Sequence, residues 1–206
     1  MDFGPIWEIP PVTRVLLLLG VLSVVSVSFG LVHPLQMVFS PSLVFQERQY
    51  WRLMSTFFYY DRLNLSSIIE LNWLYVVSSS IELQYFHRRR WDYCLTLLVG
   101  AALLLFLRSV RALESPYLSY QFSKVLVYLF GRLLPHNEVS IFGLFTVQVR
   151  FLPVVFLFMS FAFGGVVSMQ SEMFANLVGH ILWYFLEIFP RITKIHPLRV
   201  QHFFVN

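Results

Sequence analysis

SEMFANLVGHILWYFLEIFP, residues 171–190, has the length and apolar content of a membrane helix, yet it carries Glu172, Asn176, His180 and Glu187. On a helix at about 100° per residue these four side chains fall within one sector of roughly 80°. Ala175 and Gly179 sit beside that sector, four residues apart. Small residues at this spacing let a second helix backbone approach closely inside lipid. One face is therefore suited to tight packing, and the next holds polar groups at membrane depth. Such groups are costly unless they face a bundle interior or a water-filled cavity. The plainer alternative is a helix joined to its neighbours by polar side chains.

Composition agrees with a membrane setting. The 206 residues are 57% hydrophobic and 18% aromatic, with 13% charged residues and a mean hydropathy of +0.67. Soluble domains carry about 25% charged residues, and a soluble core could not hide this much apolar surface. A net charge of +4 gives no footprint for nucleic acid. Cys94 is the single cysteine, which excludes an intrachain disulfide and a cysteine-based metal cluster. No cofactor or metal is expected, and Cys94 reads as a small packing residue.

Six apolar segments can be drawn: Val15–Val32, Leu63–Ile81, Tyr93–Leu107, Tyr117–Phe130, Phe151–Val167 and Ser171–Pro190. The first is long enough to span. It begins too far along the chain, and without a basic flank, to be a signal peptide. The second contains Glu70 and Asn72, and the fourth contains Gln121 and Lys124. Both are weak by hydropathy, and weak spans lean on protein neighbours. The sequence therefore predicts an all-α integral membrane protein. It forms a six-helix transmembrane bundle, a single domain over 1–206 with a short cytosolic tail from about 191.

With six crossings, one side receives Arg14, Arg88, Arg89, Arg90, Arg132, Arg150, Arg191, Lys194 and Arg199. The other receives Arg48, Arg52, Arg62, Arg108 and Arg111. This excess places both termini in the cytosol. The first connection, His33–Arg62, is aromatic and aliphatic rather than polar. It reads as a membrane-interfacial loop, with Trp51 suited to the headgroup region. Arg52 beside it is expected to anchor the loop at the membrane surface, or to cap a helix end.

The WR pair of Trp51 and Arg52 in a long first loop, six spans and a small-xxx-small final helix resemble the rhomboid superfamily. Rhomboid proteases use a serine in a GxSG motif and a histidine three residues before the first glycine of the last helix. Here Glu172 stands at the histidine position and the fourth segment has no GxSG. The catalytic set is expected to be absent. The chain is more similar still to the Derlin (Der1-like) family of rhomboid pseudoproteases. QYWRLMSTFFY at 49–59, SSSIE at 78–82, VSIFGLFTVQVRFLPVV at 139–155 and NLVGHILWYFLEIFP at 176–190 carry the resemblance. It runs from about Ile9 to Pro190. Ala175 stands where the family usually has glycine.

The resemblance implies residence in the endoplasmic reticulum membrane and a non-enzymatic role in ER-associated degradation. Misfolded luminal or membrane clients would be retrotranslocated to the cytosol beside a membrane RING ubiquitin-ligase complex and a cytosolic AAA ATPase. The tail after about residue 191 is basic and lacks the ATPase-recruiting motif of many Derlins, so that contact is expected to be indirect. Homo- or hetero-oligomers are compatible with the pattern. The physical expectation is a thinned bilayer beside a polar lateral groove, with the short third and fourth segments underfilling the core. Glu70, Asn72, Gln121, Lys124, Glu172, Asn176 and His180 are the candidate groove residues. Two rivals are an intramembrane serine protease using His180 with Ser119, Ser123 or Ser140, and a small transporter with Glu70, Lys124, Glu172 and His180 as a relay.

Overall fold

The computed structural model describes residues 8–110, 115–141 and 145–200. Arg111 and the tail beyond Val200 lie outside the described residues. The chain opens with α1 (Pro11–Ser28), whose first-turn proline suits a position where a backbone N–H has no helical partner. The first loop holds two short helices, α2 (Pro41–Phe45) and α3 (Arg52–Ser55). Then come α4 (Leu65–Ser80), extended by a π turn over Ile81–Tyr85, α5 (Arg90–Ser109) and α6 (Ser119–Leu133). An antiparallel hairpin of β1 (Glu138–Ile141) and β2 (Phe145–Gln148) follows, with Glu138 opposite Gln148. The chain continues through α7 (Leu152–Trp183), a second π turn over Tyr184–Ile188 and α8 (Phe189–Thr193).

α7 is two arms rather than one rod. Gly165 has φ 68° and ψ −164°, a backbone region open to glycine and strained for other residues. The Ser160 hydroxyl donates to Glu172 Oε2 at 3.1 Å. Residues 12 apart on a straight helix are separated by about 18 Å. The chain therefore turns back at Gly165, and its arms correspond to the fifth and sixth apolar segments. Among the described residues, α1, α4, α5, α6 and the two arms are the six long helical segments of the bundle.

α6 runs through the middle. Twelve of its positions, from Ser119 and Gln121 to Gly131, are buried, which explains why a segment of weak hydropathy persists: protein surrounds it. Leucine and phenylalanine elsewhere face outward, among them Leu22 and Leu98, Phe158, and Phe163 at 86% exposure. α1, α5 and the α7 stretch are long and apolar enough to cross a membrane, and the fold is that of an all-α membrane protein.

One expectation is corrected. The third segment is not short: α5 covers 20 residues, about 30 Å of rise. Asp92 in its first turn favours the helix dipole and is buried, so a polar start conceals the helix from a hydropathy reading. The fourth segment is short as expected, α6 covering 15 residues or about 22 Å, and the first arm of α7, residues 152–164, is shorter still at about 20 Å. The β hairpin between the fourth and fifth segments was not foreseen.

Hydrogen bonds sort the connections onto two ends. Val12 N–H donates to Glu82 Oε1 at 3.0 Å, Asn137 Nδ2 to Gln84 Oε1 at 2.8 Å, Val200 N–H to Asp92 Oδ1 at 2.8 Å, and the Tyr85 hydroxyl to Glu187. These contacts gather the start of α1, the α4–α5 turn, the β hairpin and the segment after α8. At the far end Leu63 N–H donates to Ser28 Oγ at 2.8 Å and Leu118 N–H to the Thr56 carbonyl at 3.0 Å.

Candidate functional site

The polar side chains of the bundle converge between α4, α6 and the two arms of α7. α6 supplies Tyr120 and Lys124, i and i+4 neighbours on one helix face, and Gln121 beside them. α4 supplies Glu70, the first arm Phe156 and Ser160, and the second arm Ser171. They line an open cavity of about 670 Å³. Glu172 is 1% exposed and closes its wall through the bond from Ser160. Tyr120 OH approaches Ser160 Oγ at 3.4 Å. Gln121 Nε2 donates to Ser171 Oγ at 2.8 Å, leaving Gln121 Oε1 buried with no donor among the described residues.

The Lys124 ammonium sits 3.4 Å from the centroid of the Phe156 ring and 4.6 Å from that of Tyr120. A desolvated cation over an aromatic face gains about 2 kcal/mol, part of the cost of holding charge at this depth. Lys124, Glu70 and Glu172 lie within electrostatic reach of one another. A second polar cavity of about 370 Å³ shares Glu70, Ser115 and Tyr120 with the first and continues to Asp61, Asn64 and Tyr117 at the far end of the bundle. There Tyr59 stacks on Tyr117 with centroids 3.8 Å apart and donates to Asp61 Oδ1 at 3.1 Å. Burial, and then the Asp61 carboxylate, push the Tyr59 phenol above its ordinary range, so it stays a donor.

The remaining candidates lie elsewhere. Asn72 is on α4 about 200° round from Glu70 and does not line either polar cavity. Asn176 is half-buried one turn past Glu172, with its Oδ1 buried and without a partner among the described residues. His180 is exposed, and its Nδ1 pairs with Tyr128 OH at 2.8 Å. Its place in the expected groove is corrected: it does not line the polar cavity, and about 12 Å of rise separates it from Glu172. Ala175 is fully buried. A Cβ on Gly179 would lie 2.8 Å from Tyr128 Cβ, so this glycine is where the second arm meets α6.

Trp51 is 59% exposed, and Arg52 is 7% exposed. The guanidinium turns inward: Nη1 donates to the carbonyls of Leu35 at 2.7 Å and Val38 at 3.0 Å, and Nε to Gln49 Oε1 at 2.7 Å. Arg52 ties the first loop to itself instead of reaching a headgroup. The expectation of a surface anchor is therefore corrected for Arg52.

Sequence reasoning missed three groups. Ser160 and Tyr120 are hydroxyls at the cavity wall, and the signal for Ser160 was a lone serine in an apolar run. Glu82 is buried and accepts from Val12 N–H, from Thr13 N–H at 2.7 Å and from Thr13 Oγ1 at 2.8 Å. It thereby caps α1, which has no capping side chain of its own. Ser78 bridges Thr13 Oγ1 and Tyr93 OH, each at 2.8 Å. SSSIE at 78–82 thus has a structural task. Asp92, buried at the start of α5, binds the backbone of Val200.

Among the described residues no serine hydroxyl bonds a histidine. Ser119 Oγ donates to the Tyr59 carbonyl, His180 Nδ1 is taken by Tyr128, and Ser140 lies on β1. No group of three or more His, Cys, Asp or Glu side chains among the described residues is placed to hold a metal.

A family model described as the Der1-like family matches residues 9–197. Derlin-2.2 of Arabidopsis thaliana is 28% identical, over 95% of this chain and 83% of the relative. The probable derlin-2 homolog of Dictyostelium discoideum is 28% identical, over 97% and 80%. Derlin-1 of Arabidopsis thaliana is 28% identical, over 93% and 68%. The chain belongs to the Der1-like family, a non-catalytic membrane family of ER-associated degradation.

Proposed function

We propose that this chain carries misfolded polypeptides out of the endoplasmic reticulum by solvating them along the cavity between α4, α6 and the first arm of α7. The observation behind this reading is the wall formed by Glu70, Gln121 and Lys124, with the buried Glu172 behind it. Charged and amide groups border about 670 Å³ of open volume inside a bundle whose outer surface is apolar. Polar groups at membrane depth are tolerated where they line a water-filled space. The shared residues of the two polar cavities extend this path towards the end of the bundle that carries the long first loop.

The cavity lies beside the short first arm, whose Val154 and Phe158 face outward. An arm of about 20 Å in a hydrocarbon core of about 30 Å draws the bilayer inward. A thinner bilayer at the cavity mouth lowers the cost of passing polar backbone. The chain crosses six times as one domain. The end that holds Arg14, Arg90, Arg132, Arg150 and Arg191 faces the cytosol under the positive-inside rule, with both termini there. The protein works without cutting its client, beside a membrane RING ubiquitin-ligase complex, and the cytosolic AAA ATPase is engaged through that complex.

Photocrosslinkers at Phe156 and Met159 in the cavity should capture a luminal client during degradation, whereas one at Leu98, outward on α5, should not. Equal capture from both faces, or client cleavage that is lost in Ser119→Ala, would overturn the reading.

A further inference from the structure

A groove of about 640 Å³ runs between α1 and α5 and shares no described lining residue with either polar cavity. Its rims, Val15 and Leu98, are exposed, so it opens to the outside of the bundle. Its floor includes Phe57 and Phe122, both buried, edge to face with centroids 5.5 Å apart. Small side chains make it hollow: Cys94 and Ala101 lie two turns apart on one face of α5. Apolar walls of this kind do not hold water.

Among the described lining residues, Arg90 is the one charged group, and it stands at one end. α5 covers 20 residues, about 30 Å of rise, which matches a hydrocarbon core. Its first residue therefore reaches the headgroup boundary. Arg90 is exposed, and no described residue hydrogen-bonds or ion-pairs its guanidinium. Its neighbour Arg89 is engaged, donating to the Tyr85 carbonyl at 2.9 Å. Trp91, also exposed, suits the same boundary.

The size of the groove selects its occupant. From the level of Arg90 to that of Leu105 it extends about 22 Å, more than the about 15 Å of hydrocarbon in one leaflet. Spread over that length, its volume leaves a width of about 6 Å. A helix with its side chains is about 10–12 Å across and does not enter. A polymethylene chain, whose carbons pack at about 4 Å, does.

We propose that this groove holds one phospholipid of the leaflet on the Arg90 side, with its phosphate on the Arg90 guanidinium and one acyl chain laid between α1 and α5. A cation at the headgroup boundary and an apolar slot running inward from it match the two parts of such a molecule, in their order along the membrane normal. The guanidinium offers paired N–H donors to the phosphate oxygens. Inorganic phosphate would leave the apolar length unfilled. The assignment is independent of what the polar cavity does.

The test uses the full chain reconstituted in vesicles of phosphatidylcholine and phosphatidylserine, then returned to mild detergent for native mass spectrometry. One phospholipid should stay bound per chain. Arg90→Gln alters an exposed side chain and should lower the bound fraction about 5-fold. Ala101→Phe fills the groove and should lower it further at an unchanged unfolding midpoint. Arg90→Gln decides the matter if Ala101→Phe loses its fold. Cys94, the single cysteine, reports from inside the groove: its alkylation by N-ethylmaleimide should run several-fold faster in Arg90→Gln than in the unaltered chain. No retained phospholipid, a retained lipid without phosphate, displacement by inorganic phosphate, or retention that Arg90→Gln does not lower would each overturn the proposal.

Discussion

Two buried polar clusters in this bundle have opposite characters. Around Thr13, Ser78, Glu82 and Tyr93, donors and acceptors meet: Glu82 takes two backbone N–H groups and a hydroxyl, and Ser78 bridges Thr13 and Tyr93. Glu70, Gln121 and Lys124 instead border open volume, with Glu172 buried behind them, and Gln121 Oε1 has no donor among the described residues. Composition alone makes the clusters look alike. A satisfied network rigidifies a core, whereas polar groups turned toward an open cavity keep water there. The difference separates a structural fastening from a working surface, and each can be disturbed without the other.

Glu82→Leu should be the most damaging change. It leaves the Val12 and Thr13 N–H groups at the start of α1 without an acceptor, at about 3 kcal/mol or more, while the Thr13 hydroxyl keeps Ser78. Low steady-state abundance and early thermal unfolding in detergent are expected, with Glu82→Gln much milder because one acceptor oxygen remains. A normally abundant Glu82→Leu protein would break the comparison at its structural side. Gly179→Leu comes next: the new side chain runs into Tyr128, and overpacking costs about 1–3 kcal/mol. Thermal unfolding of the purified protein measures it, and an unchanged midpoint would mean that the second arm does not seat on α6. Arg52→Ala should act locally. It frees the carbonyls of Leu35 and Val38, so proteolysis within residues 33–62 should accelerate several-fold while the bundle's unfolding midpoint moves little. Arg52→Lys should fail to restore protection, because an ammonium lacks the planar fork that serves three acceptors at once.

Much of this fold was legible because membrane depth forces apolar runs, and those runs survive any tertiary rearrangement. The turn at Gly165 lies within a few residues of the boundary between the fifth and sixth segments. α5 was read too short because Arg90 and Asp92 interrupt its hydropathy, although Asp92 Oδ1 accepts from the Val200 backbone there. The β hairpin carries polar–apolar alternation in Glu138, Val139, Ser140 and Ile141, a period-2 signal overshadowed by the helical segments around it. At the site, Glu172 and Gln121 could be assigned by helix face. His180 could not, since its outward turn depends on how the arm rotates against α6. The partners of Arg52 were hidden for a similar reason: its acceptors are carbonyls 14 and 17 residues earlier. A charge beside a tryptophan reads as interfacial until the loop's path is known.

The central claim is that the polar cavity between α4, α6 and the first arm of α7 is the client's path. Its most direct test is the rate at which a luminal client reaches the cytosolic face of microsomes containing a Glu70→Leu, Gln121→Leu double variant. Asn72→Leu, outside the cavity on the same bundle, is the control, and all proteins are compared at equal abundance. The account predicts a several-fold slower rate in the double variant and a normal rate in the control. A normal rate in the double variant, or an equal loss in Asn72→Leu, would contradict it.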